Sequence, residues 1–195
     1  MIKQKCKIFR ILAFEFEMKS LDDLKYFLGI EVARPKHGIF LFQRKYILDL
    51  LAKTGMLDCK PIDTPSEQNH KLGLYPDQVP KNKERYQRRM GKLIYLSHTR
   101  SDIANAVSVV SQFMHSPSED HMGAMMRILR YLKVTPKNRL MFCKYGHSDV
   151  EGYMDADWVG SVTNRRSTSR YFTFVGGNLV TWWSKKQKVV SRSSA

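Results

Sequence analysis

Residues 27–56 read FLGIEVARPKHGIFLFQRKYILDLLAKTGM. Strand formers dominate 27–33, Pro35-Lys36-His37-Gly38 is turn chemistry, and residues 39–42 resume the apolar run, so this stretch predicts a β-hairpin. The period then changes from two to 3.6. Ile47, Leu50, Leu51 and Thr54 fall on one helical face, and Gly55 supplies the stop. A hairpin feeding directly into an amphipathic helix argues for an α+β fold. Upstream, Leu21, Leu24 and Leu28 suggest a short helix before the hairpin.

Downstream the pattern dissolves between residues 60 and 83, where Pro61, Pro65, Pro76 and Pro80 punctuate a polar stretch. This reads as a connector, expected to be the most mobile interior segment. Three helices follow. Tyr86, Met90, Leu93, Ile94 and Ser97 share a face of the first. Ile103, Ala106, Val107, Val110, Phe113 and Met114 share one in the second, with Ser101 as its expected N-cap. The third opens with SPSE: Ser116 is the expected cap, Pro117 the first helical residue and Glu119 the partner in a capping box. Met122, Met125, Leu129 and Leu132 form its apolar stripe, which reads as core rather than a cofactor site. Arg127, Arg130 and Lys133 lie on its other faces, where they are either solvated or able to meet phosphates.

The remainder reads as β structure. Residues 139–145 alternate, 151–158 carry the motif Asp155-Ala156-Asp157, and 169–175 and 179–184 flank a Gly-Gly-Asn turn. Residues 187–195, QKVVSRSSA, look like the opening turn of a helix.

Charge is the unusual bulk property. The 195 residues carry a formal net charge of +15, and the pI is about 9.8, which points to a polyanionic partner, most commonly nucleic acid. The basic residues are clustered: after Asp157 the chain has Arg165, Arg166, Arg170, Lys185, Lys186, Lys188 and Arg192 and no acidic residue. Cys6, Cys59 and Cys143 are odd in number and widely spaced, which suggests free thiols in a reducing, intracellular setting, cytoplasm or nucleus. The first ten residues lack the apolar run of a signal peptide, and no stretch is long enough to cross a bilayer.

A lone Asp-x-Asp is weak evidence of a site. In this basic context Asp155 is a candidate Mg²⁺ ligand acting on phosphodiesters, with Asp157 expected to face away across the sheet. A two-metal site needs further carboxylates converging from other elements.

LKYFLGIEVA, IFLFQRKYILDLL, GKLIYLSHTRSDIANAVSVVSQFMHSP, RILRYLK, GYMDADWVGS, RRSTS, FVGGNLVTWWSKKQ and SRSSA occur in order. Together they closely resemble the Pol polyprotein of copia-type LTR retrotransposons, abundant in plants, over nearly the whole chain. The resemblance implies three parts. Residues 1–83 correspond to the end of a reverse-transcriptase palm plus connector. Residues 84–138 correspond to the helical thumb and connection, and residues 139–195 to the N-terminal strands of an incomplete RNase H-like domain. It implies that the hairpin is a primer grip, with Gly29 and Glu31 near nucleic acid. Arg165, Arg166, Lys185, Lys186 and Lys188 would contact an RNA–DNA hybrid or duplex without sequence preference. Asp155 would be the first catalytic, Mg²⁺-binding aspartate. The family's polymerase Tyr-x-Asp-Asp strand is expected just before Met1, and its second metal ligand, a glutamate, just beyond Ala195.

The parent activities implied are RNA-directed DNA synthesis and hydrolysis of RNA in hybrids, with this stretch expected to perform neither. Ser101, Val134 and Arg170 stand where the family usually has Pro, Gly and Gly, which fits a drifting copy; the Val134 change would remove a left-handed option at a helix end. The rival readings are a compact nuclease joining Asp155 to Asp149 or Glu151, a domesticated non-catalytic nucleic-acid-binding protein, and a relic without function.

Overall fold

The computed structural model describes residues 25–67, 72–73, 82–157 and 166–190. Among these it is an α+β fold of four helices and two antiparallel sheets. The expected helix before the hairpin falls almost wholly outside them. The exception is Leu28, which sits with Gly29 in a tight turn, both at positive φ (50° and 87°).

That turn joins β1 (Tyr26–Phe27) to β2 (Ile30–Ala33). β2 pairs with β3 (Gly38–Phe42) in the predicted hairpin, Val32 opposite Leu41. Helix α1 (Arg44–Thr54) follows at once. It ends as the sequence indicated: Gly55 adopts φ 69°, its N–H donates to the Ala52 carbonyl, and the Met56 N–H reaches back to Leu51. At its start the Glu31 carboxylate accepts from the Lys45 N–H (2.9 Å), one of the donors a helix N-terminus leaves free.

The predicted helices are α2 (Lys83–Ser97), α3 (Ser101–Ser111) and α4 (Glu119–Val134). With α1 they enclose one core, built from Ile47, Leu50, Leu51, Tyr86, Met90, Leu93, Leu96, Ile103, Val107, Met125, Ile128, Leu129 and Leu132, all essentially inaccessible to solvent. The buried Tyr86 hydroxyl donates to the Val110 carbonyl (2.8 Å), so a polar group in this core stays satisfied.

Two caps differ from the expected ones. Ser101 is the first residue inside α3, not its N-cap. Arg100 holds that position without a side-chain cap, because a guanidinium only donates and cannot accept from the first N–H groups of a helix. α4 begins two residues later than SPSE suggested. Ser118 is the N-cap, and the box closes with His121, whose Nδ1 accepts from the Ser118 N–H (2.9 Å). A glutamate box from Ser116 was therefore wrong: an imidazole at the third helical position takes the place expected of a carboxylate. His121 Nε2 meets the Gly73 carbonyl (2.8 Å), and its ring stacks on Phe113 at 3.8 Å between centroids. A connector residue is thereby tied to the helix.

Arg100 is the densest polar node. Only 2 % exposed, it holds Asp102 in a bidentate pair (Nε to Oδ1 2.8 Å, Nη2 to Oδ2 2.7 Å). It also donates to the Thr135 carbonyl (2.8 Å) and hydroxyl (2.7 Å). The Tyr131 hydroxyl donates to the same Asp102 carboxylate (2.8 Å). Burial pushes the Asp102 carboxyl up, but the hydrogen bonds and charge of Arg100, with Tyr131 and Asn138, outweigh it and hold Asp102 below the usual carboxylate range. Val134 causes no strain, since α4 closes on Thr135 at φ −116° and needs no left-handed residue.

Strand β4 (Leu140–Cys143) returns to the hairpin and pairs antiparallel with β3, giving the order β1-β2-β3-β4. Gly38 permits this: a Cβ there would lie 2.2 Å from the Phe142 carbonyl oxygen. The second sheet is β5 (Val150–Asp157), β6 (Arg166–Val175) and β7 (Asn178–Val190) in that order. Gly176 and Gly177, at φ 52° and 71°, make the turn between β6 and β7, and Asn178, expected within it, opens β7. Residues 187–190 continue β7 and are not the start of a helix; Gln187 donates to the Ser169 hydroxyl (2.8 Å) from within the strand. Residues 191–195 lie outside the described residues.

β7 packs against α3 and meets β4, and Trp182 and Asn178 add hydrogen bonds to the rest. Trp182 Nε1–H donates to the Ser97 carbonyl at the end of α2 (2.9 Å). Asn178 accepts from the Cys143 N–H (2.6 Å) and donates to the Cys143 carbonyl (2.9 Å), copying a backbone pairing.

Removing the Asp102 carboxylate leaves a buried guanidinium without its counterion. Asp102→Ala should therefore cost about 3 kcal/mol or more in chemical denaturation, at the lower end of the range for broken buried pairs. His121 is pushed below the ordinary imidazole value by burial, opposed by the Gly73 hydrogen bond and the Asp120 charge. Its folded form thus binds protons less readily than its unfolded form. The stability this contributes is complete above the unfolded value and lost as pH falls toward the folded one. A pH titration of thermal stability should show that loss beginning below about pH 6.5, and His121→Gln should remove it.

Candidate nucleic-acid interface

The second sheet carries most of the residues singled out from the sequence. In β5, Asp155 lies opposite Arg170 and Asp157 opposite Thr168, with no register break between them. Side chains two apart on a regular strand share a face, so the expectation that Asp157 turns away from Asp155 is corrected: both positions belong to the face of Arg170, Phe172 and Trp182. Asp155 is largely exposed and bonds to Arg170 (Nη1 to Oδ2, 3.2 Å). Arg170 is 33% exposed: one end of its guanidinium pairs with Asp155, while its Nε is buried without a hydrogen-bond partner, so the departure from glycine has a local partner for only part of the side chain.

Magnesium would require oxygen ligands from several elements. Among the described residues no group of three or more His, Cys, Asp or Glu side chains stands together, and the nearest charged partner of Asp155 is a guanidinium. The described residues therefore do not compose a Mg²⁺ site, and no catalytic step is derived through one. Asp149 pairs with His147 (3.0 Å), and Glu151 accepts from the Tyr153 hydroxyl (2.9 Å).

Of the expected nucleic-acid contacts, Lys185 lies opposite Ser169 with its ammonium 5.4 Å from the Trp183 ring centroid. Lys186 is opposite Thr168 and so belongs to the other face; Lys188 falls in the irregular stretch before the Arg166–Val190 pair. For Arg166, Lys186 and Lys188 the backbone alone is described, and Arg165 lies outside the described residues. Gly29 packs its turn against the Tyr46 ring. The Leu28 carbonyl in the same turn accepts from the Tyr95 hydroxyl. Glu31 is engaged by Lys45, as above. These two positions thus stand at the hairpin end, apart from the Lys185 strand in the chain's topology.

The cations of α4 have internal partners. Arg127 bonds to Glu67 (2.8 Å) and Thr64 (2.9 Å), Arg130 to the Lys60 carbonyl (2.7 Å) and Lys133 to the Cys59 carbonyl (2.7 Å). They strap the described part of the connector to the helix.

Reading from sequence missed Arg100, whose signal was an Arg-x-Asp step immediately before an apolar helix face.

Residues 2–68 match the family model described as reverse transcriptase (RNA-dependent DNA polymerase). The chain is 44% identical over 183 residues to the "Retrovirus-related Pol polyprotein from transposon RE1" of Arabidopsis thaliana, covering 94% of this chain and 12% of that protein. It is 43% identical to the corresponding polyprotein of transposon RE2, covering 94% and 13%. It is 39% identical to the "Uncharacterized mitochondrial protein AtMg00810" of the same plant, covering 94% and 76%. No solved structure matches. The chain belongs to the family of copia-type, retrovirus-related Pol polyproteins of plant transposons. It spans about an eighth of the length of the two Pol relatives, and the fold described above is the fold of that stretch. Among the described residues no helix is long and apolar enough to cross a membrane.

Asp155 is 65% exposed, so screening and side-chain entropy keep its pair with Arg170 weak. Arg170→Ala should change stability by less than about 1 kcal/mol in denaturant unfolding. A drop of several times that would show that the pair anchors the sheet.

Proposed function

We propose that this chain is the stretch of a copia-type Pol running from the end of the reverse-transcriptase palm, through a helical thumb and connection, into the first strands of an RNase H-like domain, and that it acts by holding nucleic acid. The observation that carries this reading is the match along 94% of the chain to Pol polyproteins, with residues 2–68 fitting the polymerase family. The proposed boundaries near residues 83 and 138 rest on the resemblance to Pol polyproteins, and the polar connector supports the first. β4, beyond the second, pairs with the hairpin, so the first and third parts would share one sheet.

The contact is with phosphates. A net charge of +15 favours release of condensed counterions from a duplex or RNA–DNA hybrid, a driving force indifferent to sequence. The primer-grip reading of Gly29 and Glu31, and the contacts of Arg165, Arg166, Lys185, Lys186 and Lys188, belong to this proposal. Mg²⁺ chemistry does not belong to this stretch by itself. Asp155 would be one ligand of a set whose other members other parts of a Pol supply, and polymerisation and hybrid cleavage are activities of the assembled polyprotein.

Binding to a short RNA–DNA hybrid should lie near ~10⁻⁴–10⁻⁶ M at physiological salt and weaken steeply as salt rises. Charge reversal at Lys185 should weaken all sequences alike. Affinity that is flat with salt would refute the phosphate-contact reading, and Mg²⁺-dependent hybrid cleavage by the chain alone would refute the division of labour.

A further inference from the structure

Residues 119–130 read EDHMGAMMRILR. In α4 this places Glu119, Asp120, Gly123, Arg127 and Arg130 on one face of the helix. The sign of charge reverses along that face, from two carboxylates in the first turn to two guanidiniums further on. Only small residues, Gly123 and Ala124, stand between them. The same face lines a cavity of about 600 Å³, whose other walls include α3 and Arg170 of β6. That volume lies within the range of small-ligand sites. α3 contributes an apolar wall of Ala106, Val109 and Val110. Gly123 opens the α4 side, since a Cβ there would meet nothing within 4 Å.

The lining carries Arg127, Arg130 and Arg170 against Glu67, Glu119 and Asp120, so it is neutral as a whole but polar from end to end. Arg127 and Glu67 satisfy each other (2.8 Å). Among the described residues Arg130 uses only its Nε, on the Lys60 carbonyl, and Arg170 only its Nη1, on Asp155. Both keep Nη donors for a further acceptor. The groove between α1 and α2 is the opposite case. There Arg85, Arg88, Arg89 and Lys92, at i, i+3, i+4 and i+7 of α2, repel one another and face a single lining carboxylate, Glu84.

We propose that the α3–α4 cavity binds a short apolar peptide with free termini. Its ammonium lies toward Glu119 and Asp120, its carboxylate toward Arg130 and Arg170, and its side chains against Val109 and the Gly123–Ala124 step. From Asp120 to Arg127 and Arg130 the helix rises about 10 and 15 Å, the span of roughly three to five extended residues at ~3.3 Å each. Guanidinium forks suit a terminal carboxylate. Asn105, on the α3 wall, carries both a donor and an acceptor for a main-chain amide. An ω-amino fatty acid shares the two charged ends and the apolar middle but lacks the amides. A nucleic-acid strand brings charge of one sign, which Glu67, Glu119 and Asp120 repel. The proposal does not rest on the nucleic-acid reading.

The test is isothermal titration calorimetry of the full chain with an alanine–leucine–valine–alanine tetrapeptide. The free-terminus peptide should bind with a Kd below about 1 mM, and capping both termini by acetylation and amidation should weaken it at least tenfold. Gly123→Leu places a better helix former into open space, so it should abolish binding without lowering thermal stability. Glu119→Gln should weaken the free peptide severalfold and leave the N-acetylated one unchanged. Arg170→Gln should do the same at the other end, leaving the C-amidated peptide unchanged. No saturable binding by the parent chain, or equal binding by Gly123→Leu, overturns the site. Equal affinity for the doubly capped peptide overturns the role of the charged ends, and equal affinity for ω-aminooctanoate overturns the assignment to a peptide. None of these outcomes bears on hybrid binding, so the two readings fail separately.

Discussion

A charge inside a protein must be paired or it costs several kcal/mol, and Arg100 is the place where this chain meets that constraint. One guanidinium binds Asp102 at the start of α3 and Thr135 just past the end of α4. The planar fork accepts few geometries, so it sets how α3 leaves the α2–α3 turn and where α4 stops. Such a pair need not add stability over an apolar substitute; what it contributes here is register. The adjoining Thr99 hydroxyl reinforces it by bonding to buried Gln43, the residue that precedes α1 (2.6 Å). Three helices and the hairpin are thereby referenced to the short turn at residues 98–100.

The path of β4 follows from that reference. With the end of α4 held at Thr135, the chain re-enters beside β3, and Gly38 leaves room for the Phe142 carbonyl. Segments far apart in sequence thereby share one four-stranded sheet. The second sheet is attached through β7, which packs on α3, with Asn178 at its turn and Trp182 adding hydrogen bonds. Its outer strand β5 is open: Val150 is 70% exposed and Met154 74%. Asp155 lies on that outer strand, so a carboxylate that would need several converging partners sits where this part of the fold brings few.

Periodicity made the elements legible. The hairpin, α1 with its Gly55 stop, the three later helices and the Gly-Gly turn all follow from local pattern, because each is decided by residues within a turn or two of one another. What was not legible depended on distant partners. Nothing in residues 139–145 says that they pair with the hairpin rather than with the strands that follow; that choice is made by Arg100 and Gly38. Ser116 and Ser118 are equivalent caps in sequence, and His121, buried against Phe113 and Gly73, decides between them. The placing of Asp157 opposite in sense to Asp155 was an error of strand geometry, not of sequence. The solvated or phosphate-meeting readings of Arg127, Arg130 and Lys133 missed a third fate, since their acceptors come from the connector some 60–74 residues earlier.

That third fate bears on how a basic protein should be read. Net charge counts all cations equally, yet the fold sorts them. Those on α4, and Arg100, neutralise carboxylates and carbonyls that folding would otherwise strand, so they hold the structure together and are closed to outside ligands. Those on α2 repel one another and remain open. A helix keeps such a face only at a cost in its own stability, so the same formal charge holds one helix in place and strains another.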